Sequence, residues 1–202
     1  KELMHDFRVI GSDNITEFVK LDFNSDAIEE ICIGPKCTLS KNDIKNIVKK
    51  LLDIDIPNDR AVVVKEKDIL DLGKHKLTFY LMPMVHWPES MATYDTTDKI
   101  LFSNDAFGSF GALDGAIFND EANLNIFENE MRRYYSNIVG KLGAPVNAIL
   151  KKLSSVEISC ICPSHGLIWR KYIKEIIERY QKWANMEPTK EGVVIVYGSM
   201  YG

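Results

Sequence analysis

The chain has 202 residues, a formal net charge of -4, and 46% hydrophobic and 27% charged residues, which is typical of an ordinary soluble globular protein. The acidic balance argues against a nucleic-acid binder, because neutralising phosphates requires a basic face. No apolar run approaches the ~20 residues that span a bilayer, and the N-terminus lacks a signal-peptide pattern, so we predict a cytoplasmic protein without membrane contact.

The first sixty residues are predicted to mix helices and strands. Residues 1–7 are predicted as part of a helix, residues 16–23 as a strand and residues 26–33 as a short helix. A longer helix is predicted over residues 42–54, because apolar residues recur there at helical spacing, namely Ile44, Ile47, Val48, Leu51 and Leu52.

The remainder of the chain alternates between short strands and longer helices. Residues 60–66 predict a buried strand, residues 68–84 two strands around a turn at Gly73, and residues 99–105 another strand. Two helices are predicted within residues 120–153, with a break near residues 140–145. A strand over residues 156–162 leads into a loop, and a helix follows over residues 168–185. This order indicates an α/β or α+β layered domain.

Both ends of the sequence are predicted to be cut. The sequence begins inside the predicted first helix, and it ends at GVVIVYGSMYG, an apolar strand followed by a glycine-bearing loop. Such a unit needs a following helix to cover the sheet. We therefore expect a main domain over residues 1–187, and a linker with the opening of a second domain over residues 188–202.

Metal-capable side chains follow three of the predicted strands. His86, Asp105 and His165 each come after an apolar run, where a layered α/β sheet places its reactive residues. Two imidazoles and a carboxylate are a ligand set for zinc or non-haem iron. Each residue alone has an ordinary explanation, because a histidine at a strand end is often structural and an aspartate often caps a turn. Because the same placement recurs after three strands, a metal-binding role becomes as well supported as a structural role.

The other candidate side chains are predicted to be structural. His5 and His75 look incidental, with His75 in a solvated polar turn, and one residue of the pair Tyr134–Tyr135 is expected to face the core. The four cysteines, Cys32, Cys37, Cys160 and Cys162, lack the paired C-x2-C spacing of a zinc site, so we expect reduced, mostly buried thiols.

Four segments carry a resemblance to a known family: HWPESMATYDTTDKILFSNDAFG (86–108), MRRYYSNIVG (131–140), ICPSHGLIWR (161–170) and VVIVYGSMYG (193–202). Together they closely resemble the flavodiiron proteins, or A-type flavoproteins, over nearly the whole chain. The resemblance implies a metallo-β-lactamase-like αββα sandwich, here incomplete at its N-terminus, followed by the first strand and loop of a flavodoxin-like FMN domain.

The resemblance also implies a chemistry and a set of site residues. Flavodiiron proteins reduce dioxygen to water, nitric oxide to nitrous oxide, or both, at a di-iron centre supplied with electrons by FMN. By resemblance, His86 binds one iron, Asp105 bridges the two, and His165 binds the second. Tyr135 is assigned a supporting role behind the ligands. The terminal residues Ser199, Met200, Tyr201 and Gly202 match part of the FMN phosphate loop.

The implied partners are an electron donor, such as a rubredoxin or a reductase, and a second copy of the chain in a head-to-tail dimer. One departure from the family pattern stands out. The family's remaining iron ligands come from an H-x-E-x-D-H segment, and without gaps it falls on VKLDFN, where the ligand positions hold Val19, Leu21, Phe23 and Asn24. Asp22 is the only carboxylate in that segment.

Three interpretations therefore remain open from the sequence. The first is an oxidoreductase of the flavodiiron type. The second is a degenerate, metal-poor scaffold that serves in assembly or in positioning a flavin domain. The third is a metallo-hydrolase of the wider superfamily, against which Phe107–Gly108 and the attached flavodoxin-like start both argue.

Overall fold

A computed structural model describes residues 4–10, 14–20, 31–33, 40, 42, 43, 45, 46, 49, 61–113, 115–188, 192, 193 and 198. The chain divides into two compact units, residues 1–33 with 38–62 and residues 34–37 with 63–202. In the first unit, β1 (Met4–Ile10) pairs antiparallel with β2 (Asn14–Lys20), and β3 (Ile31–Ile33) pairs with β4 (Ala61–Val63).

Two helix predictions in the first unit are wrong over the described residues. Met4 to Phe7 belong to β1, where every residue from Met4 to Ile10 has a partner on β2. Residues 31–33, Ile-Cys-Ile, form a strand and not the end of a helix. In both places strand pairing overrides a weak helical preference, and β-branched residues favour the extended chain.

The prediction of a helix after residue 41 is confirmed where the structure describes it. Asn42, Asp43, Lys45, Asn46 and Lys49 are helical. Ser40 and Asp43 cap its start reciprocally, because Ser40 Oγ accepts from the Asp43 N–H at 3.1 Å while the Asp43 carboxylate accepts from the Ser40 N–H at 2.8 Å. This exchange satisfies two backbone donors at the helix start.

The second unit is built on a mixed five-stranded sheet with the order β5-β6-β7-β8-β9. Every neighbouring pair is antiparallel except β8 and β9, which are parallel. The strands are β5 (Ile69–Asp71), β6 (Lys76–Leu81), β7 (Met91–Asp95), β8 (Ile100–Asn104) and β9 (Cys160–Pro163).

Strand direction decides which loops meet. β6 and β8 both run antiparallel to β7, and β8 runs parallel to β9, so β6, β8 and β9 all end at the same edge of the sheet. The turn at Gly73, which has φ +80°, confirms the predicted β5–β6 hairpin. β7 was missed in the sequence, where it is hidden inside the segment that follows His86.

Three helices accompany this sheet: α1 (Leu124–Ile138), α2 (Gly143–Leu153) and α3 (Ile173–Ala184). Pro145 lies in the first turn of α2, where its missing N–H costs no helical hydrogen bond. α3 begins five residues later than predicted, because Trp169 instead pairs with Ile161 and Tyr172 adopts a left-handed φ of 56°. Among the described residues, no helix has the length and apolar character needed to cross a membrane.

The core of the second unit lies between one face of the sheet and the three helices. Burying such apolar surface is the main favourable term in folding. Its members include Ala92, Leu101 and Ile161 from the strands and Met131, Tyr135, Val139, Val146, Ile149, Ile176 and Tyr180 from the helices. Val85, Ala106 and Phe107 belong to the same cluster. The loops after β6 and β8 are therefore anchored in the core immediately beside His86 and Asp105.

Candidate metal centre

Three loops at one edge of the sheet bring the predicted metal-capable residues together. His86 follows β6, Asp105 directly follows β8, and His165 follows β9 by two residues. The Ser164 N–H donates to the Asn104 carbonyl oxygen at 2.7 Å, which joins the loops that carry Asp105 and His165.

Each imidazole faces a different oxygen of the same carboxylate. Nε2 of His86 lies 3.2 Å from Oδ2 of Asp105, and Nε2 of His165 lies 3.5 Å from its Oδ1. Both distances exceed the ~2.7–2.9 Å of a charge-assisted hydrogen bond. Ligands that share one ion with bonds of ~2.0–2.2 Å stand roughly 3.0–3.5 Å apart. The spacing therefore fits a carboxylate shared between two metal positions, each with one imidazole.

Tyr134 is the tyrosine that reaches this group. Its hydroxyl donates to Oδ1 of Asp105 at 3.3 Å, and its ring lies 5.9 Å from that of His165 between centroids. Burial, and then the charge of Asp105, raise the pKa of the Tyr134 hydroxyl far above its usual range. Tyr134 is therefore a permanent hydrogen-bond donor to the carboxylate.

Tyr135, the tyrosine chosen from the sequence, does not face Asp105 in the structure. Tyr135 points into the core, with its ring 5.1 Å from that of Tyr180 and 5.3 Å from that of Trp183. Its buried hydroxyl has no hydrogen-bond partner. Consecutive residues of a helix point about 100° apart, so only one of the two tyrosines can face the sheet edge. The motif alone did not say which one.

Gly108 allows the loops around the site to approach closely. A Cβ at this position would lie 3.0 Å from the carbonyl oxygens of both Asp105 and His165, and 3.2 Å from Cε1 of Tyr134. The Ser109 N–H also donates to the His165 carbonyl oxygen at 3.2 Å. A side chain larger than hydrogen at residue 108 would therefore push apart the groups that carry the candidate ligands.

A cleft of about 300 Å³ opens above these residues. Beyond the two histidines, Asp105 and Tyr134, its lining is small or apolar, and consists of Ser109, Phe110, Gly111, Ile138 and Gly166. The side chain of Asp105 is 12% exposed, whereas those of His86 and His165 are 28% and 60% exposed. The carboxylate thus lies at the floor of the cleft and the imidazoles stand at its walls.

This donor set fits a di-iron centre as far as the described side chains extend. Imidazole and carboxylate are ligands that non-haem iron accepts, and the carboxylate offers one oxygen to each side. Three protein ligands are fewer than two irons require, and the remaining predicted ligand positions are not described beyond the backbone of Val19 in β2. Leu21 to Asn24 lie outside the described residues, and so do Ser199 to Gly202.

Two other sequence expectations can be compared with the structure. Cys160 and Cys162 are free thiols with their sulfurs 3.9 Å apart, as predicted, but they are half-buried. Burial and the neighbouring Cys160 raise the pKa of the Cys162 thiol to about 12. His75 is not simply solvated, because its Nδ1 lies 2.7 Å from Oδ2 of Asp95. The structure describes only the backbone of Cys32, and Cys37 lies outside the described residues.

Comparisons with known proteins find one matching family and several similar proteins. The model of a family described as "ODP family beta lactamase" matches residues 27–166. An anaerobic nitric oxide reductase flavorubredoxin of Vibrio vulnificus is 42% identical over 140 residues, which cover 68% of this chain and 28% of that protein. A nitric oxide reductase of Moorella thermoacetica is 35% identical over 180 residues, which cover 87% of this chain and 43% of that protein.

A solved structure shares the architecture. The rubredoxin oxygen:oxidoreductase from the anaerobe Desulfovibrio gigas matches with a TM-score of 0.66 and 30% identity, over 80% of this chain and 39% of that one. The chain thus spans less than half the length of each of these relatives. Their activities are properties of the longer proteins.

Proposed function

Because the chain belongs to the ODP family of beta-lactamase-like domains found in flavodiiron proteins, we propose that it is the metal-binding domain of an oxidoreductase that reduces nitric oxide or dioxygen. The observation that carries this proposal is the position of Asp105 between the imidazoles of His86 and His165. An isolated structural histidine needs one hydrogen-bond partner, whereas here two imidazoles from separate loops converge on one carboxylate.

In this proposal each described residue has a defined task. His86 and His165 would each hold one iron, and the carboxylate of Asp105 lies between the two imidazoles. Tyr134 fixes the orientation of Asp105 by donating to Oδ1, which keeps Oδ2 directed at His86. When bound by these residues, an iron pair would supply electrons and Lewis acidity for a small diatomic substrate. Phe110 and Ile138 provide apolar walls that favour a small uncharged molecule over bulk water.

The wider assembly is part of the same proposal. The remainder of the αββα sandwich, a boundary near residue 187, and an FMN-binding loop beginning at Ser199 are inferred from the sequence resemblance. So are an electron donor such as a rubredoxin and a head-to-tail dimer that brings FMN to the irons. The cofactor chemistry belongs to FMN, and the protein supplies position and electrostatics.

A metal-poor scaffold is the alternative that the sequence itself supports. By the gapless alignment that the resemblance implies, Val19, Leu21, Phe23 and Asn24 occupy the positions of four further iron ligands of the family. Site filling depends on ligand number and geometry, so these substitutions favour weak or partial metal binding. The scaffold interpretation predicts His86 and His165 as ordinary polar partners of Asp105.

The test is iron loading followed by turnover. The protein is loaded with ferrous iron without oxygen and given reduced rubredoxin, free FMN and nitric oxide or dioxygen, and nitrous oxide formation and oxygen uptake are measured. We expect turnover in the unchanged protein. His86→Ala and His165→Ala should abolish it, whereas His75→Ala, which replaces a histidine outside the cleft, should preserve it. Bound iron and turnover that both histidine variants retain would contradict the proposal, and absence of bound iron in the unchanged protein would favour the scaffold.

A further inference from the structure

A second group of metal-capable side chains lies at the opposite edge of the sheet from the cleft. His75 immediately precedes β6, and Asp95 and Asp98 end and follow β7. β6 begins at the edge where β7 ends, so these residues are separated from His86 by the length of the β6–β7 hairpin. The proposed iron site therefore does not account for them.

The three side chains converge closely. One potential ligand atom from each of His75, Asp95 and Asp98 lies within 4.8 Å of the other two. Nδ1 of His75 is 2.7 Å from Oδ2 of Asp95 and 3.8 Å from Oδ2 of Asp98. Ligands around one ion with bonds of ~2.0–2.2 Å stand roughly 3.0–3.5 Å apart, so the two distances to Nδ1 of His75 need to change by only a few tenths of an ångström.

A backbone hydrogen bond holds the carboxylate of Asp95 in place. Its side chain is 8% exposed, and its Oδ1 accepts from the Thr97 N–H at 2.9 Å. Oδ2 is thereby left facing His75 and Asp98. Carboxylates that bind metals are commonly hydrogen-bonded by the protein in this way, and the Thr97 N–H gives Asp95 that outer support.

Charge and access also favour a cation at this place. Two carboxylates face one imidazole, and two neighbouring lysines are engaged elsewhere, Lys76 with Asp71 at 3.2 Å and Lys99 with Glu157 at 2.7 Å. His75 is 33% exposed and Asp98 is 55% exposed, so an ion can enter from solvent. The alternative is a plain ion pair, in which a protonated His75 bridges the two aspartates without any metal.

We propose that His75, Asp95 and Asp98 form a second, surface metal site for a divalent transition-metal ion of the zinc class. One imidazole and two carboxylates select zinc, cobalt or nickel over magnesium, which prefers oxygen ligands and retains its water. Water completes the coordination on the exposed side. The site is independent of the proposed reductase activity.

The test uses the fact that the chain contains four histidines, His5, His75, His86 and His165. Tag-free protein is treated with diethylpyrocarbonate at increasing zinc concentrations, and the modification rate of each histidine is followed by peptide mass spectrometry. His86 and His165 report on the cleft separately from His75. Failure of the second site is thereby distinguishable from failure of the proposed iron site.

We expect zinc to slow modification of His75 in the unchanged protein, and Asp98→Asn to require at least ~10-fold more zinc for the same protection. Glu178→Gln is the matched control, because Glu178 is similarly exposed at 52% and lies on α3, outside the β6–β7 hairpin. It should leave the zinc dependence unchanged, and magnesium should give no protection. Unprotected His75, equal protection in Asp98→Asn, or equal protection by magnesium would each overturn the proposal.

Discussion

The hydroxyl of Tyr134 donates a hydrogen bond to Oδ1 of Asp105 across 3.3 Å, from one helix to the loop after β8. Both residues are buried, at 3% and 9% exposure. Because the raised pKa of Tyr134 keeps its proton in place, the bond fixes how the carboxylate presents its oxygens to His86 and His165. Tyr134 is thus a positioning residue for the proposed metal centre.

Replacing this hydroxyl should weaken metal binding. We expect Tyr134→Phe to lower iron affinity by about 10-fold or more, as losses of supporting partners do at other metal sites. The measurement is an iron titration under anaerobic conditions. Tyr135→Phe is the matched control, because its hydroxyl has no partner and its removal should leave affinity unchanged. Equal losses in the two variants would contradict the assignment of Tyr134.

Adding one methyl group at Gly108 should disturb the same site. In Gly108→Ala the new Cβ meets two backbone carbonyl oxygens at 3.0 Å, so the loops must separate. We expect a loss of about 1–3 kcal/mol in the free energy of unfolding, typical of overpacking, together with weaker iron binding. Urea denaturation and iron titration measure the two effects.

Gly192→Ala provides the comparison, since a Cβ there has nothing within 4 Å and its backbone has no positive φ. That variant should match the unchanged protein in both measurements. A Gly108→Ala protein with unchanged stability and iron affinity would show that the loops do not need to approach this closely.

The complete burial of Ile161 in the core predicts a large cost for shortening its side chain. This side chain is 0% exposed, so Ile161→Ala should destabilise the protein by about 2–5 kcal/mol. Ile126, at 63% exposure on α1, is the matched isoleucine, and Ile126→Ala should change stability by no more than about 0.5 kcal/mol. Similar urea midpoints for the two variants would argue against the described core.

Asp120 should contribute stability that disappears in acid. Lys171 and Arg170 bind its carboxylate at 3.0 and 2.8 Å and hold its pKa below the usual value. A depressed pKa stabilises the fold above the unfolded pKa of about 3.9, and this contribution is lost as the pH falls through the folded pKa. The difference in urea midpoint between unchanged protein and Asp120→Asn should therefore be wide at pH 7 and narrow below pH ~3. A constant difference would contradict this linkage.

Local sequence patterns predicted most of the second unit. Alternating Leu77, Phe79 and Leu81 indicated β6, and the apolar run before Asp105 indicated β8. The placement of His86, Asp105 and His165 after strands was enough to expect them near one another, because parallel strands end at a common edge. The structure brings these three residues together as the sequence predicted.

The predictions from the sequence fail where strand pairing, or the rotation of a helix about its axis, determines the structure. β1 looks helical by itself and becomes extended through its pairing with β2. Trp169 was predicted to be helical but lies before α3, because its backbone pairs with Ile161. Tyr134 and Tyr135 differ only in the direction they face, which depends on how α1 packs against the sheet. The partnership of His75 with Asp95 depends on the register of β6 against β7, which no local motif reports.

The most direct test of the central claim is anomalous X-ray diffraction at the iron edge from crystals of anaerobically loaded protein. We predict two iron peaks flanking Asp105, each within about 2.0–2.2 Å of Nε2 of His86 or His165. Absence of iron density between these residues, with both imidazoles hydrogen-bonded to protein groups alone, would contradict the account.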